Sequence, residues 1–282
     1  MIHLDLNVLI DLSKKLYQTV NPFLGLSESG KRVGVGFGGD PTRFIDQLAE
    51  RTIIEYLKEK GISCVFVGEE GGVQEIGRNP EEYLIVDAVD GTTNAVRGIN
   101  FASASLAVAP KDRLSGVEAA AVINLFNGEL YVAEKDEGAR CNGKRIKPSR
   151  SLTLGEAILS VDVSSTPEKL DKIIPLMKAA RRVRSLGAAS LEICHVASGK
   201  LDAYVDLRGK IRTLDFAAAM LILRESGGFF SLLDADEEIP LTKLKRFSVI
   251  AAANESLYTQ IVSLVSPIQK ANEAKRNIQN YP

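Results

Sequence analysis

The chain has 282 residues, with 35 Lys and Arg against 36 Asp and Glu, so its formal net charge is −1. An apolar content of 45% in a chain of this length predicts one large domain or two coupled domains with a sizeable core, and the near-neutral charge argues against a nucleic-acid partner. With only two His, a His-rich zinc site or a Ser-His catalytic pair has little to draw on, so carboxylates are expected to carry any chemistry.

The first 60 residues predict two helices separated by a loop rich in glycine. Residues 4–20 carry apolar side chains at helical spacing, which predicts an amphipathic helix. The loop over residues 30–39 has few side chains to anchor it and is predicted to move. Asp40 and Pro41 then predict the N-cap and first residue of a second helix, with Asp46 about two turns inside it.

From residue 63 onward, short apolar runs predict strands. The predicted strands of the first half are 64–67, 83–86, 102–109, 117–124 and 129–134. Past Pro148 strands and helices alternate, which is typical of an α/β arrangement. The strands there are predicted at 157–161, 183–186 and 202–207, and the helices at Thr166-Pro167 onward, 188–197, 215–225 and from about Asn254.

Carboxylates occur at three places where a predicted element begins or ends. Glu69 and Glu70 follow one strand, Asp87 and Asp90 follow the next in an Asp-x-x-Asp-Gly-Thr-Thr motif, and Asp215 opens a helix. Any one of these alone is more often a helix cap or a solvated charge. Four acids that converge would repel one another unless cations lay between them, and Mg²⁺ takes such hard oxygen ligands. The Gly-Thr pair adds an anion-binding turn.

In this order and spacing the motifs resemble the inositol monophosphatase family of metal-dependent, lithium-sensitive phosphatases, over about residues 4–265. Within it, segments 183–189 and 201–208 look most like those of the archaeal enzymes with both fructose-1,6-bisphosphatase and inositol-1-monophosphatase activity. Ala88 and Leu214 depart from the proline and tryptophan usual there, which weakens the subfamily placement more than the activity. The segments that carry the resemblance are Glu69-Glu70, Asp87-Ala-Val-Asp90-Gly-Thr-Thr93, Leu214-Asp215-Phe-Ala-Ala218 and Glu225-Ser-Gly-Gly228.

The resemblance implies a layered αβαβα sandwich and two or three Mg²⁺ ions per subunit. Glu69, Asp87 and the main-chain carbonyl of Val89 would hold one ion, and Asp87, Asp90 and Asp215 would hold a second. The family likeness also implies a homodimer. It divides the chain into an N-terminal metal- and phosphate-binding half (1–150), a C-terminal substrate-covering half (151–268) and a polar tail (269–282).

The resemblance further implies the catalytic roles. Glu69 and the Thr92 hydroxyl would position a metal-activated water for in-line attack on phosphorus, and Asp46 would orient Thr92 and draw on its proton. Phosphate would bind the N–H groups of Gly91 and Thr92, beside Asp90.

The substrate is expected to be a small phosphorylated sugar or inositol. Its ring would approach Gly187, Ala188, Ala189 and the acceptor Asp206. Arg184 and Arg208 would grip a second phosphate, although a surface ion pair is an equally good interpretation of these two arginines.

Three scattered cysteines fit neither a disulfide framework nor a metal motif, and neither a signal peptide nor a stretch of 18 apolar residues is present. These features predict a cytoplasmic protein with no membrane partner. Two alternatives stay open: a phosphoadenosine-phosphate phosphatase of the same superfamily, and a non-catalytic metal- or anion-binding relative. Mg²⁺-dependent phosphate release separates an enzyme from the latter. A haloacid dehalogenase is disfavoured because its two acids lie one residue apart, unlike Asp87 and Asp90.

Overall fold

The computed structural model describes residues 3–37, 39, 41–164, 170–233, 235–243 and 245–265. The helices of the first half are α1 (Leu6–Val20), α2 (Phe44–Lys60) and α3 (Thr92–Arg97). Its strands are β1 (Arg32–Val35), β2 (Pro41–Arg43), β3 (Cys64–Gly68), β4 (Gly72–Ile76), β5 (Tyr83–Asp90), β6 (Ser103–Ala109), β7 (Ala119–Asn124), β8 (Leu130–Glu134), β9 (Gly138–Cys141) and β10 (Lys144–Arg145).

The second half continues with four helices and five strands among the residues that the structure describes. The strands are β11 (Ile158–Asp162), β12 (Arg182–Arg184), β13 (Ala203–Arg212), β14 (Phe229–Leu232) and β15 (Arg246–Ala252). The helices are α4 (Leu170–Ala179), α5 (Ala189–Ala197), α6 (Thr213–Ser226) and α7 (Glu255–Val265).

Two sheets organise the molecule. The first has the order β10-β9-β8-β7-β6-β5-β3-β4 and is antiparallel except where β3 pairs with β5. The second has the order β12-β11-β13-β15-β14, with β12, β11 and β13 parallel. β1 and β2 form a separate antiparallel hairpin.

Helices cover both sheets and produce five layers. α1 and α2 pack on the outer face of the first sheet, α5 and α6 lie between the sheets, and α4 and α7 pack together, with α7 against β15 of the second sheet. Central strands β6 and β7 are buried along their whole length, which explains why small and apolar residues dominate both and why neither alternates with charged residues. The αβαβα sandwich implied by the resemblance is confirmed.

α6 illustrates how this layering dictates sequence. A helix between two sheets must be apolar on nearly all sides, and α6 buries eleven of its fourteen residues. Its Ala217, Ala218 and Ala219 keep the helix thin enough for both sheets to approach, while Phe216 stacks on Phe230 with ring centroids 5.3 Å apart. Asp215, in the first turn of α6, is thereby fixed between the layers.

Most predicted helices and strands are confirmed, with four corrections. Pro41 begins strand β2, where its missing N–H is tolerated, instead of opening the helix. α2 therefore begins at Phe44, and Asp46 lies in its first turn, not two turns inside, with Oδ2 accepting the Arg43 N–H at 3.1 Å. The glycine-rich loop contains strand β1, and β5 continues through Asp90.

Several predictions fall elsewhere. Asp40, the helix opening at Thr166-Pro167 and the tail 269–282 lie outside the described residues. The sequence analysis did not predict strands β4, β9, β10, β14 and β15; β10 and the four-residue strands β9 and β14 are short, whereas β15 is as long as β6. Within the described ranges, no helix has both the length and the apolar character needed to cross a membrane.

Candidate active site

The two acids of the Asp-x-x-Asp motif lie at the end of β5, where strand pairing is irregular. Asp87 is level with Ser105 of β6 and Asp90 with Ser103, so β5 has one extra residue between the two pairs. In a regular strand, residues three apart point to opposite faces. The irregularity allows Asp87 and Asp90 to belong to one cluster, and the charges of Asp90, Glu69 and Asp215 all act on Asp87.

Thr92, at the start of α3, joins Asp46 to the main chain of the motif. Its Oγ1 lies 3.0 Å from Asp46 Oδ1 and 3.0 Å from the carbonyl oxygen of Val89. A hydroxyl has a single proton, so it can donate to only one of these acceptors at a time. Burial raises the pKa of Asp46 to about 7, despite the hydrogen bonds from Arg43 and Thr92. A protonated Asp46 would donate to Thr92, which then donates to Val89.

Glu69 and Glu70 occupy the turn between β3 and β4, and Glu50 of α2 fixes that turn. The carboxylate of Glu50 accepts the N–H groups of Glu70 at 3.0 Å and Gly71 at 2.7 Å. A cavity of about 10 Å³, close to the space that one water needs, lies between this turn and β5. It is lined by Asp46, Glu50, Glu69, Glu70, Asp87, Ala88 and Val89.

Arg212, the last residue of β13, lies across the acid cluster. Its Nη1 is 2.7 Å from Glu69 Oε1 and its Nη2 is 3.5 Å from Asp215 Oδ1. Its main-chain N–H also donates to Asp215 Oδ2 at 2.8 Å. Nη1 is buried, and although it is close to Glu69 it has no acceptor aligned for a hydrogen bond. Burial lowers the pKa of the guanidinium, but Asp215 and Glu69 outweigh this and raise it.

Asp90 caps helix α5 of the second half. Its Oδ1 accepts the Ala189 N–H at 3.2 Å, and its Oδ2 accepts both the N–H (2.7 Å) and the hydroxyl (2.6 Å) of Ser190. Ala189 was predicted near the substrate, and here its main chain is tied to a predicted metal ligand. These hydrogen bonds therefore connect the acid cluster directly to the first turn of α5, where the substrate ring is expected to lie.

The two glycine turns predicted to approach phosphate and substrate touch each other. Gly91 has φ +85°, and a Cβ added there would lie 3.0 Å from the Gly187 carbonyl oxygen and 3.1 Å from Ala188 Cβ. Asn94 of α3 holds the arrangement, because its Nδ2 donates to the carbonyl oxygens of Leu186 at 2.7 Å and Phe101 at 2.8 Å. The structure thus brings Gly91, Thr92, Gly187, Ala188 and Ala189 together.

The two arginines predicted to grip a second phosphate differ in setting. Arg184 is exposed at the end of edge strand β12, and its Nη1 donates to the Val183 carbonyl at 2.9 Å. Arg208 Nη2 lies 2.8 Å from Asp162 Oδ2 and 2.7 Å from Asp206 Oδ2. Both oxygens of the fully buried Asp206 accept from Arg208, so in this conformation Asp206 is the counter-ion of that arginine.

The electrostatics of the acid cluster demand a cation. Burial and the charges of Asp90, Glu69 and Asp215 raise the pKa of Asp87 well above its usual range. Burial and Asp215 raise the pKa of Asp90 to about 7, and burial raises that of Asp215 although Arg212 opposes it. Four carboxylates against one guanidinium leave a formal charge of −4 + 1 = −3. This set of hard oxygen donors fits Mg²⁺ chemically.

The side chains are nevertheless not arranged as a loaded metal centre. Among the described residues, no group of three or more His, Cys, Asp or Glu is placed so that it could hold a metal ion. Glu69 and Asp215 are turned onto Arg212, and Asp90 is turned onto the start of α5. Metal binding would require these carboxylates to change partners.

Sequence reasoning missed four residues that hold the site together: Glu50, Asn94, Ser190 and Arg212. Glu50 could have been found, because it lies four residues after Asp46 and so on the same face of α2. Arg212 carries a weaker signal, three residues before Asp215 at the end of a strand. No local pattern marks Ser190, whose partner Asp90 is 100 residues away.

Comparisons with known proteins identify the family to which the chain belongs. A family model described as the inositol monophosphatase family matches residues 6–270. The fructose-1,6-bisphosphatase/inositol-1-monophosphatase of Methanothermobacter thermautotrophicus is 33% identical over 271 residues, which cover 93% of this chain and 96% of that protein. The IMPase structure from Thermotoga maritima has a TM-score of 0.78 and 26% identity, covering 94% of this chain and 98% of that one.

A second kind of relative also matches. The bifunctional NADP phosphatase/NAD kinase of Methanococcus maripaludis is 32% identical over 281 residues, covering 92% of this chain but only 49% of that protein. This chain therefore spans about half the length of that relative. From the family match and the identities, the chain belongs to the inositol monophosphatase family and is a phosphatase. Members of this family are generally Mg²⁺-dependent.

Proposed function

We propose that this phosphatase is a Mg²⁺-dependent phosphomonoesterase that acts on fructose 1,6-bisphosphate, inositol 1-phosphate or both. The single observation that carries the proposal is the hydrogen-bonded chain of Asp46, the Thr92 hydroxyl and the Val89 carbonyl beside the acid cluster. These hydrogen bonds place a group that can take up or release a proton close to where metal-held phosphate would lie. The archaeal relative with both activities supports the choice of substrates.

The metal ligands proposed are those that the resemblance implies. Glu69, Asp87 and the carbonyl of Val89 would hold one Mg²⁺, and Asp87, Asp90 and Asp215 would hold a second, with a third ion bound more weakly. When bound, Mg²⁺ supplies Lewis-acid activation of the attacking water and charge stabilisation of the leaving alkoxide. The raised pKa values of Asp87, Asp90 and Asp215 support this assignment, because a cation would stabilise their ionised forms.

The chain's own contribution to the chemistry is proton handling at Thr92 Oγ1. With its pKa near 7, Asp46 can be ionised or protonated close to neutral pH. Ionised Asp46 accepts the Thr92 proton and leaves Thr92 Oγ1 free to accept a proton from the attacking water, with Glu69 helping to orient that water. Thr92 is therefore proposed as a catalytic residue and Asp46 as its proton partner.

The substrate would lie between the two glycine turns. The N–H groups of Gly91 and Thr92 would bind phosphate, and the lack of side-chain bulk at Gly187, Ala188 and Ala189 would admit the sugar or inositol ring. Arg184 is exposed and would bind a second phosphate directly. Arg208, kept charged beside Asp162 and Asp206, would present its remaining N–H donors to the same phosphate.

The test is phosphate release from a panel of substrates with and without Mg²⁺ and Li⁺. The panel contains fructose 1,6-bisphosphate, inositol 1-phosphate, NADP and phosphoadenosine phosphate. NADP is a second candidate because a bifunctional NADP phosphatase matches over 92% of this chain. Mg²⁺-dependent release from either of the first two supports the proposal, and preferential release from NADP would replace the substrate. No release from any of the four compounds would overturn the proposed substrate class.

The same preparation tests the proposed homodimer. Light scattering coupled to size exclusion should give twice the mass of the 30.6 kDa chain, and a single-chain mass would overturn that assignment.

A further inference from the structure

One guanidinium touches a proposed ligand of each Mg²⁺. Arg212 lies 2.7 Å from Glu69, which belongs to the first proposed ion, and 3.5 Å from Asp215, which belongs to the second. Its side chain is 13% exposed, so solvent screens these contacts only weakly. We propose that Arg212 is the internal counter-ion of the metal-free site, and that Mg²⁺ must displace this arginine from both carboxylates. This inference rests on the metal site proposed above.

Arg212 and a Mg²⁺ ion would compete for the same carboxylates on steric and electrostatic grounds. Mg²⁺ binds carboxylate oxygen at about 2.1 Å and demands nearly ideal octahedral geometry. While Nη1 lies 2.7 Å from Glu69 Oε1, that oxygen is already paired with a positive group. Two positive groups on the same carboxylates also repel each other. Guanidinium and metal therefore compete for the carboxylates of Glu69 and Asp215, in agreement with the absence of a metal-competent group of His, Cys, Asp or Glu among the described residues.

Arg212 is held in a way that permits this displacement. Its main-chain N–H donates to Asp215 Oδ2 at 2.8 Å, and this bond does not require the guanidinium to stay. The guanidinium is held by two ion pairs, at 2.7 Å to Glu69 and at a longer 3.5 Å to Asp215, and both are with carboxylates that the metal would take over. The side chain can leave while the backbone continues to orient Asp215.

A purely structural role for Arg212 predicts the opposite change in Mg²⁺ affinity when the arginine is removed. If Arg212 only kept Glu69 and Asp215 in place, its loss would loosen the ligands and weaken Mg²⁺ binding. If Arg212 competes with the metal, its loss removes a cation from the site and strengthens Mg²⁺ binding. The metal-free protein would meanwhile lose stability, because the four acids would have lost their counter-ion. The sign of the change in Mg²⁺ affinity therefore separates the two roles.

The experiment is calorimetric titration of Mg²⁺ into the full chain after chelation, without substrate. It compares wild type with Arg212→Met, Arg212→Lys and the control Arg224→Met. Arg224 also pairs with a carboxylate, that of Glu237, but lies at the other end of α6 from Asp215. We expect Arg212→Met to bind Mg²⁺ about tenfold more tightly or better, since one unit charge near a divalent ion in a half-buried site has at least this effect.

Two further readouts accompany the titration. Arg212→Lys keeps the charge and should retain an affinity within a few-fold of wild type, as should Arg224→Met. Metal-free Arg212→Met should melt at a lower temperature than wild type, and saturating Mg²⁺ should raise its melting temperature by more. Unchanged or weaker Mg²⁺ binding in Arg212→Met would overturn the counter-ion role alone. Absence of Mg²⁺ binding in wild type and all variants would overturn the proposed metal site as well.

Discussion

Asp90 is expected to bind Mg²⁺ and is observed to cap α5, so replacing it separates activity from stability. Asp90→Asn keeps the side-chain shape but turns one oxygen into an amide that cannot accept a hydrogen bond. The best orientation keeps the oxygen on Ser190 and gives up the 3.2 Å bond from the Ala189 N–H. A hydrogen bond to a charged group contributes about 1.5–3 kcal/mol. Removing one buried negative charge beside Asp87 and Asp215 offsets part of that loss. We expect a net destabilisation of about 1 kcal/mol.

Turnover should respond far more strongly. A metal ion supplies several kcal/mol of transition-state stabilisation, so loss of one ligand is expected to lower kcat/KM by about a thousandfold. Phosphate release from fructose 1,6-bisphosphate and inositol 1-phosphate at saturating Mg²⁺ measures this effect. Urea unfolding of the metal-free protein measures the stability change.

Asp202→Asn is the matched control. Asp202 is also buried and accepts a main-chain N–H, that of Ile158 at 2.6 Å, and a hydroxyl, that of Ser149. It precedes β13, at the end of that strand opposite to Arg212. The control should lose about 2 kcal/mol of stability and keep wild-type turnover. Turnover of Asp90→Asn within tenfold of wild type would refute the assignment of Asp90 as a metal ligand. Equal losses of turnover in both variants would show that loss of a buried structural carboxylate alone impairs activity.

Three further predictions concern the proton relay, the second phosphate and a buried acid. Thr92→Ala should lower kcat by about 10²–10⁴ with little change in KM, while Thr92→Ser should retain most activity; equal loss in both would exclude the hydroxyl. Arg208→Ala should impair hydrolysis of the bisphosphate more than that of the monophosphate, and equal loss on both substrates would remove Arg208 from phosphate binding. The same variant should lower the free energy of unfolding by about 3 kcal/mol, because Asp206 stays buried without its cation. Burial raises the pKa of Glu192 from 4.5 to about 7, so the folded state binds its proton more tightly and stability should fall by about 3 kcal/mol as pH rises through that interval. Glu192→Gln should lose this part of the pH dependence, and identical pH profiles by urea unfolding would contradict it.

Many of the helices and strands, and the acids, were predictable because their signals are local, whereas the layered arrangement was expected from the family resemblance. Runs of small and apolar residues such as those of β6 and β7 predict strands, and helical spacing predicts α1. The Asp-x-x-Asp-Gly-Thr-Thr motif keeps its chemistry within seven residues. Short strands at sheet edges, such as β10, carry too few residues to show a period. The prediction that Pro41 opens a helix was wrong because proline is tolerated both in the first turn of a helix and at the start of a strand.

The partners within the site were not predictable, because they join residues far apart in the chain. Asp90 meets Ser190 at a separation of 100 residues, and Glu69, which follows a strand of the first sheet, meets Arg212 at the end of a strand of the second. The irregularity in β5 depends on how β6 pairs with it, which a single segment does not reveal. These contacts determine which oxygens are engaged in the metal-free protein, and only the tertiary structure supplies them.

The contact between Gly91 and Gly187 restricts how substrate preference can change. Gly91 has no room for a side chain, and both glycines have positive φ, which other residues rarely adopt. Mutations at either turn are therefore expected to disturb the proposed phosphate site and the proposed ring site together. New specificity is accessible instead at the exposed end of β12 around Arg184, where side chains can vary without disturbing this contact. Relatives with different substrates would be expected to diverge there while keeping both glycines.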